Sequence, residues 1–257
     1  MYPLSSIVFC FVVLLTLLGG GTSQLGYRCG DSLVHHNENN IKIVLDDLVS
    51  NATRPGGFYK TKAGSGGSNT VYGRFICRGD ISLADCQSCI EDAAKEVLVL
   101  CPLAEKAAGR IFYRQCTLDY SSNPMFGIED IYTAPVVSCD SQISSEPQRF
   151  MGLLKNALNR MADAVAATSG KFATLEANVS SASKTMYLLG QCTPDLSKSE
   201  CGSCLEAGIR FVPQLCYSTL GAEIILASCH IKYDMYPLSK ILPSPPAPIR
   251  RPPVKGN

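Results

Sequence analysis

Histidine is scarce in this sequence, with only His35, His36 and His230 in 257 residues. No G-x-S-x-G or H-E-x-x-H accompanies them, so the common hydrolase and zinc-peptidase constellations are excluded and no catalytic residue is assigned. Gly64-Ser65-Gly66-Gly67 lacks the following Lys-Ser/Thr of a phosphate cradle and reads as a hairpin turn. No basic stripe marks a nucleic-acid surface, and the formal net charge is only +1. Beyond the N-terminus no apolar run reaches the roughly 20 residues of a membrane span, and no apolar C-terminal tail follows.

The first apolar run, residues 4–18, has the length of a secretory leader and is followed by small residues, Gly-Gly-Gly-Thr-Ser. Cleavage after Ser23 is expected, giving a leader over residues 1–23 and a secreted, extracellular chain without an anchor. It removes Cys10, so thirteen cysteines become twelve. An even number in an oxidising compartment points to disulfides. Asn51-Ala52-Thr53 and Asn178-Val179-Ser180 are N-glycosylation sequons and fit the same compartment.

The twelve cysteines are written twice. They fall at 29, 77, 86, 89, 101 and 116, then at 139, 192, 201, 204, 216 and 229. The core C-x8-C-x2-C-x11-C is identical in both, and CRGDISLADCQSCI lies over CTPDLSKSECGSCL. Two domains are expected, 24–121 and 139–236, joined by a linker over 122–138 and followed by a proline-rich basic tail over 237–257. Redox use of C-x-x-C would need an exposed thiol with no committed partner, and zinc would need a closed four-ligand site. Six cysteines per copy favour structural pairing, so neither a metal nor another cofactor is assigned. Fifteen pairings per copy remain open on spacing alone.

Each copy has the same periodicity. Ile41, Val44, Leu45, Leu48, Val49 and Ala52 recur at helical spacing, as do Phe150, Leu154, Leu158, Met161 and Val165. Two strand-like runs follow in each copy, FYKTKA with TVYGRFIC and KFATLEANV with KTMYLLGQC. Ser82 with Asp85, and Ser197 with Glu200, are capping pairs for a second helix that carries C-x-x-C. Two closing strands complete the copy. The fold class is α+β, two tandem disulfide-stapled domains, each with two helices packed on an antiparallel β-sheet.

YKTKAGSGGSNTVYGRFICRGDISLADCQSC, with its C-x8-C-x2-C core, closely resembles the ginkbilobin-like, or salt-stress/antifungal, domain of land plants. Two copies behind a leader resemble the cysteine-rich repeat secretory proteins. That resemblance implies the pairs Cys29–Cys101, Cys77–Cys86, Cys89–Cys116, Cys139–Cys216, Cys192–Cys201 and Cys204–Cys229. It also implies a mannose site made by an Asn after the first cysteine, an Arg six residues before the sixth and an acid five residues after it. Copy one has Gly30, Arg110 and Ser121 at those places, and copy two has Asp140, Glu223 and Asp234. Only Arg110 and Asp234 match, so a mannose site of this kind is not expected, while another glycan remains open.

By the same resemblance the chain is a non-enzymatic apoplastic protein of plant defence and stress responses. It binds either an extracellular protein partner or a cell-wall glycan, the second as an antifungal lectin-like effector. Met125, Phe126, Ile128, Ile131 and Tyr132 make the linker too apolar for a free tether, so the two copies are expected to pack as a fixed pair. Arg78-Gly79-Asp80 reads only as the approach to the helix cap.

Overall fold

The computed structural model describes residues 24–31, 38–103, 106–179 and 185–238. The leader, His35 and His36, and most of the proline-rich tail lie outside them. Copy one runs β1 (Gln24–Asp31), α1 (Glu38–Ser50), β2 (Phe58–Ala63), β3 (Val71–Cys77), α2 (Leu83–Leu100), β4 (Lys106–Tyr113) and β5 (Cys116–Ser121). Copy two repeats this as β6 (Val136–Cys139), α3 (Pro147–Ala167), β7 (Phe172–Asn178), β8 (Thr185–Cys192), α4 (Lys198–Leu215), β9 (Ala222–Ile225) and β10 (Cys229–Asp234). Each copy is one antiparallel five-stranded sheet, ordered β1-β4-β5-β3-β2 and β6-β9-β10-β8-β7.

Both helices of a copy cover one sheet face. Ile41, Val44, Leu45 and Leu48 of α1 meet Val71 and Phe75 of β3 and Leu118 of β5 in one buried cluster. The approach is close: a Cβ on Gly73 would sit 2.1 Å from a methyl of Val44, so only glycine fits there. Ser82 and Ser197 accept the backbone N–H of Asp85 and Glu200, and Glu200 returns the bond to complete a capping box. Six disulfides staple the copies: Cys29–Cys101, Cys77–Cys86 and Cys89–Cys116, then Cys139–Cys216, Cys192–Cys201 and Cys204–Cys229. The two cysteines of each C-x-x-C share the helix face toward the sheet and each bonds to a strand.

The first strand of each copy has no counterpart in the periodicity of the sequence. β1 pairs with β4 along Gln24–Asp31, and β6 pairs with β9 from Val136. The segment 122–138 therefore ends inside the second sheet, because Val136, Val137 and Ser138 already belong to it.

The helix-free faces of the two sheets pack together with the linker between them. Phe112, Val136, Ile225 and Leu25 form an apolar cluster across the boundary. Around it the contacts run both ways. The turn after β3 meets the second sheet: Gly79 N–H donates to Gln191 at 3.2 Å, and a Cβ on Gly79 would lie 2.7 Å from the Phe172 ring. The turn after β8 meets the first sheet: Asp195 accepts from Lys60 at 3.0 Å. These turns are the equivalent segments of the repeat, so the pair has pseudo-two-fold character. Arg78-Gly79-Asp80 is thus an interface loop, its Arg78 and Asp80 bound to each other.

Candidate binding site

On its helix-free face the first sheet carries one row of charge across all five strands. In register order it reads Arg28, Arg110, Asp119, Arg74 and Lys60. Asp119 is the one acid in the row. Its carboxylate accepts from Arg74 Nε at 3.1 Å and from Arg110 Nε, and the side chains of Arg74 and Asp119 are each only 3% exposed. The surplus positive charge is met from outside the sheet. Arg110 also donates to Asp130 of the linker at 3.1 Å, and Arg74 donates to the carbonyls of Met125 and Ala227. Burial works against the Arg110 charge, yet Asp119 and Asp130 hold its pKa above the ordinary value. Burial likewise opposes the Asp130 charge, but Thr133 and Arg110 bring its pKa below the ordinary value. Arg110 is therefore occupied as a strut between sheet and linker, which leaves little of its donor fork for a sugar. Gly30 and Ser121 both pair with Ala108, two residues from Arg110 along β4, and neither adds an acidic or amide side chain.

The second sheet has the equivalent row, with the charges of its second and third positions exchanged and the other three positions neutral. The register order is Ser138, Glu223, Lys232, Leu189 and Thr174. Glu223 replaces Arg110, and Lys232 replaces Asp119. Glu223 is 3% exposed and faces His230 at 3.0 Å, Arg114 of copy one at 2.9 Å and Lys232 at 3.8 Å. Burial opposes its charge, but His230, Lys232 and Arg114 more than offset that and hold its pKa at about 2. This carboxylate floors a pocket of about 180 Å³ whose walls include Asp140, Asp234, Ser138, Gly221 and Arg114. The structure thus brings Asp140, Glu223 and Asp234 together, in a polar pocket completed by a cation from the other copy. Asp140 and Asp234 each spend one oxygen on a local backbone N–H, from Gln142 and Tyr236 at 3.1 Å.

Arg114 escaped notice in the sequence. It stands in the β4–β5 turn, and its role depends on how the copies dock. The exchanged pair was there to be found: residues six before and three after the last cysteine are Arg110 and Asp119 in one copy and Glu223 and Lys232 in the other. Of the two sequons, Asn178 is exposed at the end of edge strand β7. Asn51 is half-buried and uses its amide on the carbonyl and carboxylate of Asp47. Among the described residues no group of three or more His, Cys, Asp or Glu is placed to hold a metal ion, and no helix is long and apolar enough to cross a membrane.

This architecture, two α+β copies each stapled by three disulfides and docked sheet to sheet, defines a tandem cysteine-rich repeat protein. The family model for the salt stress response/antifungal domain matches residues 29–123 and 138–236, and the chain belongs to that family. Among curated relatives, cysteine-rich receptor-like protein kinase 25 of Arabidopsis thaliana is 33% identical over 96% of this chain. Cysteine-rich repeat secretory protein 1 of the same plant is 32% identical over 87%. The antimicrobial ginkbilobin-2-like protein of Castanea crenata is 32% identical over 75% of this chain and 78% of its own length. The chain spans only 38% of the kinase and 66% of the secretory protein. Its fold is that of the tandem DUF26 ectodomain of Arabidopsis PDLP8, with a TM-score of 0.68, 22% identity, and coverage of 83% of this chain and 98% of that one. The PDLP5 ectodomain matches with a TM-score of 0.63 at 21% identity, covering 81% of this chain and 97% of that one.

Proposed function

We propose that the chain is a non-enzymatic, apoplastic binding module of plant defence or stress responses, whose recognition surface belongs to both copies at once. The observation that carries this reading is the Arg114–Glu223 contact at 2.9 Å, in which a copy-one cation completes a copy-two pocket. A pocket built in that way exists only while the copies are docked, so recognition and the domain interface are one property. The partner favoured is an extracellular protein, since the Glu223 carboxylate at the floor of the pocket is already met by Arg114, His230 and Lys232. The alternative, a lectin-like antifungal effector, draws support from the polar walls of the same pocket, where Asp140 and Asp234 could accept from sugar hydroxyls. Mannose in the manner of the family site is disfavoured because Glu223 takes the place of the arginine. A buried donor–acceptor mismatch of that kind weakens recognition steeply.

A glycan array at physiological salt, run beside proximity cross-linking to plant cell-wall extracts, separates the two. The expected result is no saturable mannose binding and protein adducts lost on Arg114→Glu. Stoichiometric glycan binding abolished by Asp234→Ala would replace the protein-partner reading with the lectin one.

A further inference from the structure

The repeat places the same groove in both copies, between the two helices and away from the domain interface. In copy one its charged walls are Lys42, Asp46, Glu91 and Lys95. In copy two the equivalent positions, counted from C-x-x-C or along the first helix, are Met151, Lys155, Glu206 and Arg210. There the groove has a volume of about 560 Å³, within the range of small-molecule sites. Met151, Ile209, Pro213 and Tyr217 form its apolar walls, and Lys155 and Arg210 are its charged residues. Two changes stand out against copy one. The acid Asp46 has become Lys155, so the groove has no acid among its lining residues. Ala94 has become Ile209 and Lys42 has become Met151, so the walls are more apolar.

The two cations are not equivalent. Arg210 is bound to Glu206 at 3.3 Å on its own helix, whereas Lys155 has no ion-pair partner among the described residues. An apolar trough with an uncommitted cation at its rim fits an apolar chain ending in a single negative charge. Gly152 opens the trough further, because a Cβ there would meet nothing within 4 Å. Tyr217, half-exposed at one end, extends the apolar wall.

We propose that the α3–α4 groove of copy two binds a small amphipathic carboxylate, such as a medium-chain fatty acid, with its chain along Met151, Ile209 and Tyr217 and its carboxylate on Lys155. This site is separate from the Glu223 pocket and stands or falls independently of the reading given for it.

The test is calorimetric titration of the secreted full-length chain with decanoate and, in parallel, decanol. One saturable site for decanoate is expected, with Kd below about 1 mM. Decanol and the Lys155→Asp variant should each bind at least about fivefold more weakly, the loss expected from removing or reversing one exposed charge pair. Gly152→Phe should fold, since it fills open space on a helix, and should weaken decanoate by roughly tenfold by occupying the trough. Lys95→Asp in the copy-one groove should change nothing. The proposal is overturned by no saturable binding, by decanol matching decanoate, by indifference to both copy-two variants, or by binding seen only after deletion of residues 239–257. That last result would assign the groove to the chain's own tail.

Discussion

Asp119 and Lys232 occupy the same place in their sheets, three residues after the last cysteine of each copy, and carry opposite charge. Each pairs across its sheet with a residue of opposite sign, Arg110 for Asp119 and Glu223 for Lys232. The duplicated domain thus keeps a cross-strand ion pair while inverting its direction. The inversion suits the docked arrangement: a face with surplus arginine and lysine meets one that offers Glu223 and Asp195. Two identical copies would have set arginine against arginine, and like charge across an interface is a penalty.

Asp119→Asn is the sharpest probe of the copy-one row. It removes the one acid shared by Arg74 and Arg110 and leaves Arg74 with only the Met125 and Ala227 carbonyls and the Ser228 hydroxyl, and Arg110 with Asp130. Breaking a buried pair in this way costs about 3–5 kcal/mol. The expected outcome, read by urea denaturation, is a loss of that size. Arg28→Ala, at the end of the same row and exposed, should cost under about 1 kcal/mol. Equal effects would show that Asp119 is not the anchor of the row.

Glu223 makes stability depend on acid. Its folded pKa, about 2, lies below its ordinary 4.5. A carboxylate held down in this way contributes fully above its unfolded pKa, and the contribution is lost as pH falls from about 4.5 through about 2. A shift of this size corresponds to something on the order of 3 kcal/mol. Glu223→Gln should therefore destabilise the chain at pH 6 and converge with the parent near pH 2. A constant gap between the two across that window would place the stabilisation elsewhere.

The disulfides should rank by the loop each closes. Cys29–Cys101 spans 72 residues and Cys77–Cys86 spans 9. The chain-entropy model assigns about 4.4 and about 2.6 kcal/mol to those loops. Paired serine substitutions, compared by thermal denaturation, are expected to preserve that order. In the intact secreted chain, thiol titration under denaturing, non-reducing conditions should find no free cysteine.

The elements legible in the sequence were those whose signal is local. Ser82 and Ser197 marked helix starts within one turn, and the 3.6-residue spacing of Ile41 to Leu48 marked the buried face of α1. The strands β1 and β6 were missed because an edge strand paired on one side needs little alternation. Gln24–Asp31 carries two glycines and an exposed Arg28, and Val136–Cys139 is four residues long. The five-strand charge row was invisible for a different reason. Arg28, Arg110, Asp119, Arg74 and Lys60 are scattered over 92 positions, and only register makes them neighbours. The linker was legible only in part: Phe126 packs, edge-on to Tyr72 at 5.4 Å and under Lys60, but Ile128 is 52% and Tyr132 91% exposed, because that stretch runs along the rim of the boundary.

Gly79 tests whether the copies act as one body. It belongs to copy one, yet its missing side chain is filled by the Phe172 ring of copy two, and a Cβ there would lie 2.7 Å from two ring carbons. Its N–H also donates to Gln191, whose own amide donates back to the Cys77 carbonyl at 3.0 Å. Gly79→Val forces branched carbon into that space, and the ring cannot retreat without uncovering the boundary. Overpacking of this kind typically costs 1–3 kcal/mol, charged here to the domain interface and not to either core. The expected result is partial undocking: faster domain-wise NMR relaxation, a larger radius of gyration by small-angle scattering, and unchanged disulfides. Phe172→Ala in the same chain should restore docking, because it returns the space that the valine takes. Such rescue separates an interface effect from a folding defect in copy one, which Phe172→Ala could not repair. If Gly79→Val leaves tumbling and scattering unchanged, the two copies are held by the charge contacts and the Phe112–Val136–Ile225 cluster, and the Phe172 contact is incidental to their pairing.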